Sequence, residues 1–247
     1  MCGWRSILKK FDLVIPCAGI GSRLKHLTKK IPKNMVNIRG NTILEKQINN
    51  FFLEKNKINK IHFILGYKSS ILKSYILNLK LPFKIKFHIN KKFKMTGCAQ
   101  SLSIALKYLN HDSLILNSDL ILKQKIISEI LNNKKKNFVY LRRPILNEKS
   151  RAVKAVINKN IITKIDILKR KYNYDVVGPF KIDLKSIKIL RKINQLTNRE
   201  NLLKMSCYTF IGKLTDFIEF KHSLIADRDW YEINTLKEYR KAQKKNF

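Results

Sequence analysis

Acidic residues are the scarcest chemistry in this chain. Over 247 residues, 17 Asp and Glu stand against 52 Lys and Arg, a formal net charge of +35. Such a field attracts polyanions, nucleic acid first among them. Yet the lysines are scattered through every segment in the company of Asn and Ile, and no single basic stripe forms. That is the pattern of a coding bias toward A and T with lysine at solvated positions, and it argues against a nucleic-acid partner. No apolar run reaches membrane-spanning length, so no transmembrane helix is expected. The four cysteines (Cys2, Cys17, Cys98, Cys207) are far apart and form no C-x-x-C pair. The expectation is therefore no zinc site, no disulfide framework and a reducing cytoplasm. Eight glycines and five prolines form no linker, and no internal repeat is visible. With 45% apolar residues the chain can bury a core, and it reads as one domain over residues 1–247. The basic start, Met1 to Lys10, is not read as a signal peptide, because cleavage there would discard the motif that follows.

That motif is Phe11-Asp-Leu-Val-Ile-Pro-Cys-Ala-Gly-Ile-Gly-Ser-Arg-Leu24. It reads as a buried strand, Phe11 to Pro16, running into a glycine loop, Ala18 to Gly21, with Arg23 next and Lys33 ten residues on. Glycine lets backbone N–H groups approach a phosphate closely, and nearby cations neutralise it. It is not a dinucleotide fingerprint, since Leu24 stands where the third glycine would and no acidic residue follows at ribose-binding distance. It is not a Walker loop either, as no Gly-Lys-Ser/Thr follows.

Strands and helices alternate through the first half. Thr42–Lys55 carries amphipathic helical spacing, Ile61–Leu65 a buried-strand pattern, and Ser69–Leu79 reads as a helix. Phe83–Ile89 alternates as a strand, Cys98–Leu109 reads as a helix, and Ser113–Leu116 as a further strand. This order predicts an α/β fold, a Rossmann-like, mostly parallel sheet flanked by helices. In the second half, Val153–Ile157 and Ile161–Ile167 flank a turn and predict a β-hairpin insertion. Tyr174–Ile182 reads as extended with a break at Gly178-Pro179, Ile187–Leu203 as helical, Phe210–Phe220 as a strand, and Asn234–Lys245 as a closing helix.

Ala18-Gly-Ile-Gly-Ser-Arg-Leu24 with Ile31-Pro-Lys33 resembles the signature of nucleotidyltransferases that activate phosphorylated sugars and alcohols. The group includes sugar-phosphate nucleotidyltransferases and shorter, phosphocholine cytidylyltransferase-like members. The resemblance continues at Ile64-Leu-Gly-Tyr-Lys68, Asn117-Ser-Asp119 and Trp230-Tyr-Glu-Ile-Asn-Thr235, and is weakest between Lys134 and Lys221. It implies the nucleotide-diphospho-sugar transferase fold and a cytoplasmic, Mg²⁺-dependent enzyme. The enzyme would move a nucleoside monophosphate from a triphosphate, CTP favoured, to a phosphorylated acceptor with release of pyrophosphate. A role in surface-polysaccharide or lipid head-group synthesis would follow.

Ligands of an open parallel sheet lie beyond the carboxyl ends of its strands, where the glycine loop and Asn117-Ser-Asp119 both fall. An aspartate there suits Mg²⁺, and an aspartate can equally cap a helix. The resemblance gives the metal to Asp119, and catalysis to Arg23, Lys33 and Asp119. It implies a nucleotide site of Ala18, Gly19, Gly21, Ser22, Arg23 and Lys33, with the base near Gly97, Gln100 and Ser101. Thr96 or Ser101 can equally cap the helix that follows. Cys17 and Cys98 fall near these loops, where alkylation could reach them. The family's second metal aspartate falls at Asn234, which lacks the charge. Glu232 or Asp229 compensates, or Asp119 and the triphosphate suffice, or activity is weakened. An inactive nucleotide-binding relative and a basic nucleic-acid-binding protein on this fold remain the alternatives.

Overall fold

A computed structural model describes residues 9–145, 153–168 and 171–244. Cys2, most of the basic start and Lys245 lie outside the described residues. The strands are β1 (Phe11–Cys17), β2 (Asn37–Ile38), β3 (Asn41–Thr42), β4 (Ile58–Leu65), β5 (Ile85–Ile89), β6 (Asp112–Ile115) and β7 (Leu120–Leu122). Then come β8 (Phe138–Arg142), β9 (Lys154–Asn158), β10 (Ile161–Asp166), β11 (Tyr174–Ile182), β12 (Lys221–Leu224) and β13 (Trp230–Glu232). The helices are α1 (Ile43–Asn49), α2 (Ser69–Asn78), α3 (Cys98–Leu106), α4 (Gln124–Asn132), α5 (Leu184–Leu196), α6 (Arg199–Lys204), α7 (Cys207–Gly212) and α8 (Leu236–Lys244).

The main sheet runs β10-β9-β11-β6-β1-β4-β5, with β8 on β11 and β12 on β8. Its parallel core is β6-β1-β4-β5, aligned so that Val14 pairs with both Ile115 and His62. β1 is buried along its whole length, as expected of a strand covered on both faces. Its alternate side chains feed two cores: Val14 joins α3, α5 and α7, while Leu13 and Ile15 join α1, α2 and α4. β11 enters antiparallel to β6, and its pairing with β8 shifts register between Val176 and Phe180 around a cis Gly178–Pro179 bond. The predicted hairpin is β9–β10, antiparallel at the sheet edge. Among the described residues no helix is long and apolar enough to cross a membrane.

Three expectations change. The predicted helix Thr42–Lys55 stops at Asn49, and a 3₁₀ segment, Phe52–Lys57, follows. Thr42 and Glu45 form a reciprocal capping box at its start. Phe210–Phe220 is not a strand: α7 and a 3₁₀ turn (Lys213–Asp216) occupy it, opened by Ser206 accepting from the Thr209 N–H. A disulfide, which the cysteine spacing did not predict, joins Cys98 to Cys207 across 109 residues.

Nor is every lysine solvated. Lys33, Lys154 and Lys181 are all buried. Lys181 Nζ donates to Ile130 O at 3.0 Å and Asn133 O at 2.7 Å, capping the end of α4. Burial pulls its pKa down to about 8.

On the adjacent strands β4 and β5, His62 Nδ1 and His88 Nε2 lie 3.0 Å apart, both rings buried. Asp12 lies 3.9 Å from His62 Nε2, and Lys60 and Lys86 bear on the pair. Burial, outweighing the attraction of Asp12, pulls His62 down to about 4, and burial lowers His88 as well. A histidine held neutral by the fold is protonated more readily in the unfolded chain. Stability is then full above the unfolded pKa near 6.5 and is lost as pH falls toward 4. Thermal melts at pH 7 and pH 4.5 should differ by about 2 kcal/mol, and His62→Gln should flatten that difference.

Candidate active site

The site forms at the carboxyl edge of the parallel core. Gly19 and Ile20 are exposed at the end of β1. A Cβ at Gly19 would meet nothing within 4 Å, so the glycine faces open space there and no packing contact demands it. Gly21 is different: its φ of +70° is a left-handed turn that demands glycine. Its carbonyl takes the Leu24 N–H at 2.9 Å and the Thr28 hydroxyl at 3.1 Å. No regular α-helix follows, because Ser22–Thr28 is 3₁₀ with a break at Lys25. Tyr67, inside the Ile64–Lys68 motif, pins the loop twice. Its N–H donates to Ala18 O at 3.0 Å and its hydroxyl to Thr28 O at 3.0 Å. Ala18 is buried, whereas Ser22 and Arg23 are exposed beside the loop.

The second wall is the turn after β6. Asn34 Nδ2 donates to Ser118 O at 2.9 Å, and Gln47 Nε2 to Asn117 O at 2.7 Å and Leu120 O at 2.6 Å. These side chains hold Asp119 at the edge. Asp119 caps no helix, because the residues after it pair as β7 with β13, Leu120 opposite Glu232. The Ile233 N–H donates to Asp119 O at 3.1 Å, which brings the carboxy-terminal motif alongside. A capping box then fixes Asn234: Glu238 Oε2 accepts from the Asn234 N–H at 2.7 Å and the Thr235 N–H at 2.8 Å. A small apolar cluster of Leu24, Val36, Ile38, Ile43, Ile121, Ile233 and Ala242 packs beneath these pieces.

Four residues named from sequence therefore meet. Lys33 Nζ donates to Asp119 Oδ2 at 2.6 Å and to Asn234 Oδ1 at 3.1 Å, while Arg23 donates to Asn234 Oδ1 at 2.7 Å. Glu232 is close enough to feel both charges. Burial, then Asp119, raises its pKa, while Lys33 and a bond with Asn234 hold it down. Tyr208 donates to Val177 O at 3.2 Å, and its hydroxyl is pushed well up by burial and by the Glu232 and Asp119 charges. Asp229 points elsewhere: it bridges Lys125 at 2.7 Å, which lowers its pKa. Of the two carboxylates weighed as compensating for Asn234, only Glu232 is at the site.

The predicted base-side residues form a separate group at the start of α3. Gly97 packs so closely that a Cβ would sit 2.2 Å from Met205 O, and its N–H donates to Leu203 O. Ser101 is buried and receives Asn90 Nδ2 at 3.2 Å, and Thr96 receives it at 3.1 Å, so neither caps the helix. Gln100 is half-buried on the first turn of α3. Cys17 is buried beside Asp119, and burial pushes its thiol up; Cys98 is in the disulfide, so neither is an open thiol.

Does a divalent ion fit here? Among the described residues no group of three or more His, Cys, Asp or Glu gathers at metal-binding spacing. What is present is a carboxylate oxygen and an amide oxygen converging on one cationic atom, Lys33 Nζ. Two protein oxygens suit Mg²⁺, which keeps several waters and takes the rest of its shell from phosphates. The donor set fits.

A family model described as nucleotidyl transferase matches residues 13–144. The chain belongs to that family. It is 32% identical over 184 residues to the bifunctional protein GlmU of Methanococcus aeolicus, covering 74% of this chain and 42% of that one. It is 34% identical over 106 residues to the D-glycero-alpha-D-manno-heptose 1-phosphate guanylyltransferase of Campylobacter jejuni, covering 43% and 46%. The chain thus spans under half the length of these curated relatives. In solved structures, the CTP:phosphocholine cytidylyltransferase LicC of Streptococcus pneumoniae aligns with a TM-score of 0.75 at 18% identity. That match covers 95% of this chain and 98% of that one, and it shows the shared fold.

Proposed function

We propose that this nucleotidyltransferase joins a nucleoside monophosphate, from its triphosphate, to a phosphorylated small-molecule acceptor and releases pyrophosphate. The observation that carries the reading is the meeting of Lys33, Asp119, Asn234 and Arg23 at the mouth of the glycine loop. An acceptor phosphate oxygen attacks the α-phosphorus, and the bond from the α-phosphorus to the bridging oxygen breaks. The acceptor is already an anion, so no protein nucleophile is required; positioning and charge neutralisation do the work.

The amides of Gly19 to Gly21, with Ala18 and Ser22, and the Arg23 fork hold the β- and γ-phosphates that leave. Lys33 serves the α-phosphate as a point charge on a flexible stem. Asp119 and Asn234 would hold Mg²⁺, which would supply charge neutralisation to the phosphates; Glu232 stands beside them as a further carboxylate whose ionisation burial and Asp119 hold back. Gly97 and Gln100 border the base, with Ser101 fixing the loop through Asn90. CTP is the favoured donor, supported by the end-to-end match to a cytidylyltransferase. A phosphorylated sugar or an alcohol phosphate such as phosphocholine is the acceptor, for a surface glycan or lipid head group. A cytoplasmic location fits, because nucleoside triphosphates are supplied there.

Calorimetric titration of metal-free protein tests the phosphate assignment. CTP should bind more tightly than CMP, and Arg23→Ala should weaken CTP about 10-fold while leaving CMP unchanged. Equal affinities for CTP and CMP, unaltered by the substitution, would remove Arg23 from the triphosphate site.

A further inference from the structure

The ammonium of Lys33 stands where a metal would. It is 2.6 Å from Asp119 Oδ2 and 3.1 Å from Asn234 Oδ1, the same two oxygens that the reading above gives to the divalent ion. One atom cannot serve both cations. A dipositive ion on Asp119 Oδ2 would also lie within contact range of a buried ammonium, which repels it. Lys33 is 9% exposed, so solvent screens little of this.

The backbone around Lys33 is fixed. Lys33–Met35 forms a 3₁₀ turn after Pro32, the Val36 N–H donates to Lys33 O at 3.1 Å, and Asn34 is tied to Ser118 O at 2.9 Å. The four-carbon stem is what remains free to turn. Gly21 lies under it: a Cβ there would meet Lys33 Cβ at 3.0 Å and Cδ at 3.4 Å. The stem therefore lies against the glycine loop while its head reaches Asp119. A rotation of the head alone exchanges the carboxylate for a phosphate held on that loop.

We infer that Lys33 is a tethered counter-ion that occupies the divalent-ion site of the free enzyme and leaves it when a triphosphate arrives. The triphosphate draws the ammonium away, Asp119 and Asn234 are released together, and divalent ion and triphosphate bind with positive coupling through one side chain. By linkage each favours the other by the same factor. Arg23 holds Asn234 in the same way from the exposed side, at 2.7 Å, while Lys33 alone of the two bonds Asp119, so Lys33 sets the lock on the charged ligand.

The inference rests on the proposed site, so its test must be separable from a test of that site. Mn²⁺ alone, with no nucleotide, is titrated into the wild type, Lys33→Met, Lys33→Gln and Asp119→Asn, with free Mn²⁺ read by electron paramagnetic resonance. Lys33→Met should bind Mn²⁺ about 10-fold more tightly than the wild type, within the range of typical coupling factors. Lys33→Gln, which keeps a hydrogen-bond donor for Asp119 and guards against a folding defect, should shift the same way. Asp119→Asn should bind least. Unchanged or weaker Mn²⁺ binding in both folded Lys33 variants would overturn the counter-ion role. Nucleoside triphosphate binding to the metal-free wild type is read separately and tests the functional reading alone.

Discussion

Asp119→Ala should lower kcat for pyrophosphate release by about 10³-fold or more, the loss expected when preorganised stabilisation of transferring phosphates is removed. Asp119 is the carboxylate around which the site is assembled. Its carboxylate takes Lys33 at 2.6 Å, its carbonyl takes the Ile233 N–H, and the turn it closes is held by Asn34 and Gln47. Glu232, two residues before Asn234, is held back by burial and by the Asp119 charge itself. Removing the carboxylate also strands the buried Lys33 ammonium, a penalty of about 3 kcal/mol for a broken buried pair. Thermal melts must therefore accompany the kinetics, and Asp119→Asn, isosteric with the native residue, keeps a hydrogen-bond acceptor for Lys33. Both variants should lose turnover while triphosphate binding in the absence of metal persists. Near-normal turnover in a folded Asp119→Asn protein would take Asp119 out of the reaction.

The second large effect concerns stability and comes from outside the site. Cys98 opens α3 and Cys207 opens α7, and the bond between them closes a loop of more than a hundred residues. In the chain-entropy account, cross-linking a loop of that size stabilises the fold by about 5 kcal/mol. For a chain this long that corresponds to roughly 10 °C in Tm. Cys207→Ser should melt lower by that amount, and a strong reductant should move the wild type the same way while leaving the variant untouched. The Gly97 N–H and Ala99 N–H already tie this region to Leu203 O and Met205 O. The base-side loop should therefore survive reduction locally, and the loss should appear in Tm before it appears in nucleotide affinity. Equal Tm with and without reductant would show that the two sulfurs are not joined in solution.

The parallel core of the first half was legible because its strands and the helices between them obeyed one period, whereas α1 was read too long and β2, β3, β7 and α4 were not read at all. β1, β4 and β6 are apolar runs ended by glycine or polar turns, and the phosphate loop carries its own chemistry. The Phe210–Phe220 stretch misled because Phe and Ile favour strands only when a pleated, half-buried surface receives them. Here Phe210 and Ile211 instead pack from a short helix against the sheet and α3. Ser206, capping the Thr209 N–H, was the local sign.

At the site, Arg23, Lys33, Asp119 and Asn234 were readable as a set, but not that they bond to one another across more than 200 residues. Asn34 and Gln47 escaped notice because they act on backbone carbonyls, which any residue supplies. Gln47 did leave a trace, as a polar residue on the buried face of α1 between Leu44 and Ile48. Glu238, also missed, left a trace as the far half of a Thr-x-x-Glu box. The Cys98–Cys207 pair left no local trace at all, since its partners meet only once α3 and α7 have docked.

Pyrophosphate release in the presence of Mg²⁺, crossing the four ribonucleoside triphosphates and dTTP against phosphorylated sugars and alcohols, tests the central claim most directly. A signal for one donor and acceptor pair, lost in Asp119→Asn, is the predicted result, with CTP the expected donor. Silence with every pair while triphosphate still binds would contradict the transferase reading and mark the chain as a nucleotide-binding relative that has lost turnover.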